Sequence, residues 1–208
     1  PQRKDIWTAE QLTIFLEETQ SHWLHPLFVL LAVTGCRLGE ALGLKWEDVQ
    51  GNTVSIKRTL QYIDGKFLEG TPKTKSGFRA IALPQDGVAA LKRQRIQQNQ
   101  WRLRAGKEWQ ETNYVFTGKD GRPLHHSTIE HAMADFCQKL RLPKLSPHGL
   151  RHLHASLLLS RGLPLTDVSA RLGHANTNIT ATAYAHVVPG RDAEAARVMG
   201  EVLKGGTL

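Results

Sequence analysis

The sequence predicts a mostly α-helical fold with a small three-stranded antiparallel β meander, an α+β arrangement. Two observations predict it. Apolar residues recur at helical spacing from Thr8 to Trp46 and again after Pro84, whereas between Asn52 and Leu83 the period drops to two among β-branched and aromatic residues. Asp64-Gly65, set between two such runs, is a hairpin signal. The 208 residues, 40% of them hydrophobic, can bury one good core, and 1–208 is read as one domain.

Each element has its own local reason. Thr8 with Gln11 three residues on is a capping-box start for a helix over 9–19, in which Leu12, Phe15 and Leu16 share a face. A more buried helix runs from Leu24 to Thr34 and stops at Gly35, and a third spans Leu38 to Trp46, leaving Cys36 and Arg37 in the loop between them. The first strand carries Val54, Ile56 and Thr59 to Ile63, and the second runs from Lys66 to about Thr71. Pro72 puts Lys73-Thr74-Lys75-Ser76-Gly77 in a turn, and a third strand, Phe78 to Leu83, ends at Pro84. Helices follow over 86–104, 127–140, 147–160, 165–172, 177–185 and 192–203.

Charge and composition narrow the function. Lys and Arg number 27 against 19 acidic residues, a net +8 that favours a partner made of phosphates. The helix over 86–104 carries Lys92, Arg93, Arg95, Arg102 and Arg104, which either grip a DNA backbone or form a solvated face. Cys36 and Cys137 have no CxxC spacing, so neither a disulfide framework nor a zinc ribbon is indicated, and a reducing cytoplasm fits. The longest apolar run, Leu27 to Val33, is far too short to span a bilayer, and the chain reads as soluble with no membrane partner. Beginning at Pro1 rather than Met, it is expected to lack a segment upstream.

Two common chemistries find little support. His148 and His152 lie four apart on one helix face, but the zinc-protease pattern needs Glu after the first His and has Gly149 here, while His125-His126 lacks a partner at ligand spacing. No metal is expected. No G-x-S-x-G elbow exists, and Ser156 and Ser160 read as packing residues.

A different set fits together in order along the chain. It comprises Thr34-Gly35-Cys36-Arg37-Leu38-Gly39-Glu40 at a helix junction, Lys73 in a β turn, His148-Gly149-Leu150-Arg151-His152 at a helix start, Leu172-Gly173-His174, and Tyr184-Ala185-His186. Singly, each has a plainer reading: Arg37 and Glu40 as a helix-cap pair, His148 as a capping residue, Tyr184 as a packed aromatic. Together the series resembles the catalytic domain of the tyrosine recombinase or phage integrase family over nearly the whole chain.

The resemblance implies a fold and a reaction. The fold is the integrase-type catalytic domain, without the family's upstream core-binding domain. The reaction cleaves and rejoins DNA strands by in-line attack of the Tyr184 hydroxyl, leaving a 3′-phosphotyrosyl bond and a free 5′-hydroxyl. Arg37 and Arg151 match the two arginines that hold the phosphate, as rigid forks of donors that stay charged at any workable pH. Lys73 matches the general acid for the leaving 5′ oxygen, with Lys75 as its alternative. His148 is placed to help take the phenol's proton, and His174 to donate to a phosphate oxygen. Glu40 orients the network, His152 supports it, and His154 and His186 are packing or supporting groups. Lys75, Arg79, Lys92, Arg93 and Arg95 are the expected DNA contacts.

The resemblance also implies double-stranded DNA as partner, a tetramer on synapsed DNA from a protein that is monomeric alone, and room for accessory DNA-bending factors. No cofactor is implied, because the phosphotyrosyl ester conserves the energy of the broken bond. One departure stands out: Tyr184 lies ten positions after His174, one more than is common in the family, so 176–182 is expected to hold an extra residue. Type IB topoisomerases share fold and nucleophile and are the nearest alternative. A DNA-binding module without chemistry and a metal-dependent nuclease are the others.

Overall fold

The computed structural model describes residues 7–72 and 74–184. The first helix, α1 (Ala9–Glu18), begins as its cap requires: Thr8 Oγ1 accepts the Gln11 N–H at 3.3 Å while the Gln11 side chain accepts the Thr8 N–H at 2.9 Å. The second, α2 (His25–Thr34), is buried on nearly every side and ends at Gly35 in the left-handed conformation, φ 62°. The third, α3 (Leu38–Leu42), is shorter than expected. Gly43 ends it, and Trp46–Asp48 form a separate 3-10 turn.

Five strands follow: β1 (Val49–Gln50), β2 (Thr53–Ile56), β3 (Thr59–Ile63), β4 (Lys66–Gly70) and β5 (Arg79–Ala82). They do not form the single three-stranded meander expected. β1, β2 and β5 make one antiparallel sheet in that order, and β3 and β4 make a separate hairpin closed at Asp64-Gly65. The predicted first strand breaks at Lys57-Arg58, where both side chains reach the same carboxylate: Lys57 Nζ lies 3.1 Å from Asp48 Oδ1, and Arg58 Nη1 bonds Asp48 Oδ2. Successive residues of a regular strand point to opposite faces, so two neighbours sharing one partner require a kink.

The remaining helices are α4 (Gln85–Ala105), packed along α2, then α5 (His126–Lys139), α6 (Pro147–Ser160), α7 (Leu165–Leu172) and α8 (Thr177–Tyr184). The helix predicted over 192–203 lies outside the described residues. A core running from Trp7, Phe15 and Phe28 through Val54 and Ile81 to Leu150 and Leu153 holds the helices to the sheet. Fully burying each such side chain contributes about 1.5–3 kcal/mol. Ala155, Leu159, Val168 and Leu172 form a smaller cluster that fastens α7 to α6. Cys36 and Cys137 are both buried free thiols, and among the described residues no helix is long and apolar enough to cross a membrane.

Candidate active site

The carbonyls at the C-terminus of α2 organise the site. Side chains from later in the chain cap them: His154 Nδ1 is 2.8 Å from Ala32 O, Arg171 Nη2 donates to Val33 O at 2.8 Å, and Arg151 Nη1 donates to Gly35 O at 2.8 Å. A helix C-terminus carries partial negative charge on unpaired carbonyls, so cationic donors stabilise it. The C-terminus of α7 is capped the same way. Arg151 Nη2 donates to Leu172 O at 2.8 Å and Arg79 Nε to Arg171 O at 2.7 Å. Arg151, 3% exposed, therefore stitches two helix ends together with one guanidinium.

Arg37 stands at the N-cap of α3, immediately past the first of those ends. Its backbone N–H donates to Glu40 Oε2 at 2.9 Å and its Nη1 to Glu40 Oε1 at 2.9 Å, so the helix-cap reading of this pair is correct as local structure. Half of the Arg37 side chain, 49%, nevertheless stays exposed. Glu40 is buried and also receives Arg79 Nη2 at 2.8 Å. Burial pushes the Glu40 carboxyl up, but the bonds and charges of Arg79 and Arg37 outweigh it and hold the group below the usual carboxylate range.

A cavity of about 220 Å³ is lined by Arg37, Leu38, Glu130, Ser146, Pro147, His148 and Arg151. Three of the predicted site residues thus meet on one concave surface. Ser146 Oγ accepts the Gly149 N–H at 3.2 Å and Pro147 occupies the first turn, so α6 starts where His148 and Arg151, three residues apart, reach that surface together. His148 Nε2 and His152 Nε2 are 2.9 Å apart, a contact in which one ring carries the hydrogen and the other accepts it.

His174 follows the left-handed Gly173, φ 71°, and its Nδ1 lies 2.7 Å from Oγ1 of the fully buried Thr180 in α8. Burial first, then the charges of Arg151, Arg37 and Arg79, pull the His174 pKa down to about 4, which marks how much positive potential converges there. The same two causes bring Arg151 down to about 10, still charged at neutral pH. His154 is pulled down to about 4, chiefly by burial, and keeps a neutral ring against Ala32 O and the Arg171 Nε at 3.2 Å.

Other expected site residues fall elsewhere. Arg79 is corrected: expected to touch DNA, it is turned inward with 7% of its side chain exposed, because Glu40, Gly77 O and Arg171 O take its donors. Arg95 lies 4.6 Å from the Trp46 ring centroid, in a second cavity with Gln98 and Asn99 that does not include Arg37. Lys92 is exposed and Arg93 half-buried on the same helix. The backbone of Lys75 forms part of a 3-10 turn, Lys75–Gly77. Lys73 and His186 lie outside the described residues, and Tyr184 is described only as the last residue of α8. Sequence reasoning missed Glu130, Thr180 and the capping role of Arg171. Only Thr180 left a trace, as a polar residue four before Tyr184. Among the described residues no group of three or more His, Cys, Asp or Glu side chains could hold a metal ion.

The model of the phage integrase family matches residues 7–191. The chain belongs to that family. It is 31% identical over 212 residues to a tyrosine recombinase XerC-like protein of Caldanaerobacter subterraneus subsp. tengcongensis, covering 95% of this chain and 54% of that relative. It is 27% identical to the ICEBs1 integrase of Bacillus subtilis, covering 95% and 55%. The chain thus spans about half the length of these relatives. The fold is that of the Tn1549 transposon integrase solved in complex with circular intermediate DNA, at TM-score 0.79 and 22% identity over 98% of this chain and 68% of that one. The XerA recombinase superposes at TM-score 0.70 and 21% identity, covering 97% and 66%.

Proposed function

We propose that this chain is the catalytic domain of a tyrosine site-specific recombinase or integrase that cleaves and rejoins double-stranded DNA. The observation carrying the reading is the shared cavity of Arg37, His148 and Arg151, with His174, bonded to Thr180, near enough for the charges of both arginines to lower its pKa. A phosphodiester turning into a pentacoordinate phosphorane gains negative charge on its non-bridging oxygens. Arg37, half exposed at the cavity, and the remaining N–H groups of Arg151 are the donors for that charge.

In the forward step the Tyr184 oxygen forms a bond to phosphorus, the bond from phosphorus to the 5′ oxygen breaks, and the 3′ end stays on the tyrosine. The phenol's proton passes to His148, whose contact with His152 at 2.9 Å supplies a second ring to share it. The departing 5′ oxygen takes a proton from Lys73, or from Lys75, and leaves as a hydroxyl. Rejoining runs the same steps backward with a new 5′-hydroxyl, so no nucleotide or metal is consumed. Tyr184 ends the helix that carries Thr180, so the His174–Thr180 contact ties the nucleophile's helix to the phosphate pocket.

The whole protein is read as a cytoplasmic enzyme, monomeric alone and tetrameric on synapsed DNA, in which Lys75, Lys92, Arg93 and Arg95 contact the duplex. The test is a nicked suicide substrate incubated with the full-length protein. An adduct that survives SDS, forms in EDTA and is lost in Tyr184→Phe with DNA binding retained is expected. An adduct that persists in Tyr184→Phe refutes the reading, EDTA sensitivity points to a metal nuclease, and supercoil relaxation without site dependence points to a topoisomerase.

A further inference from the structure

Resting on that reading, we infer that Arg79 is a positioning residue for strand transfer, anchoring the lysine-bearing turn against the phosphate pocket. Arg79 opens β5, directly after the Lys75–Gly77 turn. Its guanidinium reaches three separate parts of the chain. Nη1 donates back to Gly77 O at 2.9 Å, Nη2 to Glu40 Oε2 at 2.8 Å, and Nε across to Arg171 O at 2.7 Å. The turn, the carboxylate that holds Arg37 and the end of α7 are therefore fixed to one rigid, planar group.

A second contact closes the same junction. Gly173, just before His174, comes so near that a Cβ there would lie 2.8 Å from Arg79 Nη1 and 2.9 Å from Ser76 O. The backbone before His174 thus lies against both the guanidinium and the turn. Within the turn the Gly77 N–H donates to Thr74 O at 2.9 Å, and a Cβ on Gly77 would meet Pro72 at 2.3 Å, so the turn is compact. At its exit, the Arg79 side chain holds that compact unit through Gly77 O. β5 itself does not depend on this anchor. Ile81, fully buried and paired with Val54, holds the strand in its sheet. Loss of Arg79 is therefore expected to release the turn rather than unfold the domain.

A substrate whose leaving 5′ oxygen is replaced by sulfur separates positioning of the acid from general structural support, because a thiolate departs without a proton. The full-length protein is assayed for adduct formation on oxygen and sulfur suicide substrates, as wild type, Arg79→Ala, Arg79→Lys, Lys73→Ala, Lys75→Ala and Tyr184→Phe. In the Arg79 variants the rate on oxygen should fall about 100-fold, at the low end of what a general acid contributes, and the sulfur-to-oxygen rate ratio should rise at least about tenfold. Arg79→Lys keeps a charge beside Glu40 but cannot span three partners, and it decides the question if Arg79→Ala does not bind DNA in a gel shift. An unchanged ratio in the Arg79 variants, with a raised ratio in either lysine variant, overturns the inference. If neither lysine variant raises the ratio, or Tyr184→Phe still forms adduct, the reading of the active site itself fails.

Discussion

Arg151 carries two demands in one side chain. It must hold Gly35 O and Leu172 O, both inside the protein, and keep charge facing the cavity it shares with Arg37 and His148. Removing it is expected to harm fold and chemistry together: Arg151→Gln should cost on the order of 3 kcal/mol in a denaturant melt, because two buried carbonyls lose a charged donor. Arg37 is different, being half exposed and, among the described residues, bonded locally to Glu40. Arg37→Gln should leave the melt within about 1 kcal/mol of wild type and slow adduct formation about 100-fold or more. Equal effects of the two substitutions on stability would contradict this division. His154 supplies a pH prediction. Its folded pKa of about 4 lies below the 6.5 of the free group, so the unfolded chain binds the extra proton. Its contribution is complete above pH 6.5, declines as pH falls toward 4 and levels off below that, a change on the order of 3 kcal/mol. His154→Gln should flatten the melting-versus-pH curve across that window, and an unaltered slope would remove His154 as its source.

At the scale of elements, the site is a junction of two helix ends, a strand entry and a helix start. Gly173 shows how tight it is. Its φ of 71° and the Arg79 and Ser76 atoms under 3 Å from a would-be Cβ make Gly173→Ala costly on two counts. A loss of about 2 kcal/mol is expected, together with slower adduct formation, and a neutral outcome in both would show that the corner is looser than described. The first helices were legible because caps announced them: Thr8 with Gln11, and Gly35 after Thr34. The strands were located but not their pairing. Lys57 and Arg58 look like an ordinary strand segment until Asp48 draws both to one side, and nothing local to either strand says that β5 returns to β2.

For the molecule as a whole, the net charge of +8 and the concentration of guanidiniums around Glu40 frame the partner as a polyanion. Duplex binding by the full-length protein should weaken by about 100-fold or more between 50 and 200 mM salt, as counterion release requires, and salt-indifferent binding would remove phosphate from the picture. Of the predicted site, Arg37, His148 and Arg151 were legible through the resemblance of their motifs to the family, and they do meet in one cavity. The inward role of Arg79 was not. A basic residue next to a lysine-rich turn looks like a DNA contact until its three partners, 2, 39 and 92 residues away, are seen.

The central claim is a covalent bond between DNA and one particular oxygen, and peptide mapping of the trapped adduct tests it most directly. Trypsin should release Leu172 to Arg191, a segment with no internal Lys or Arg and with Tyr184 as its single tyrosine. Mass spectrometry is predicted to find the nucleotide joined through its 3′ phosphate to Tyr184. A nucleotide on any other residue, or one joined through a 5′ phosphate, would contradict the account.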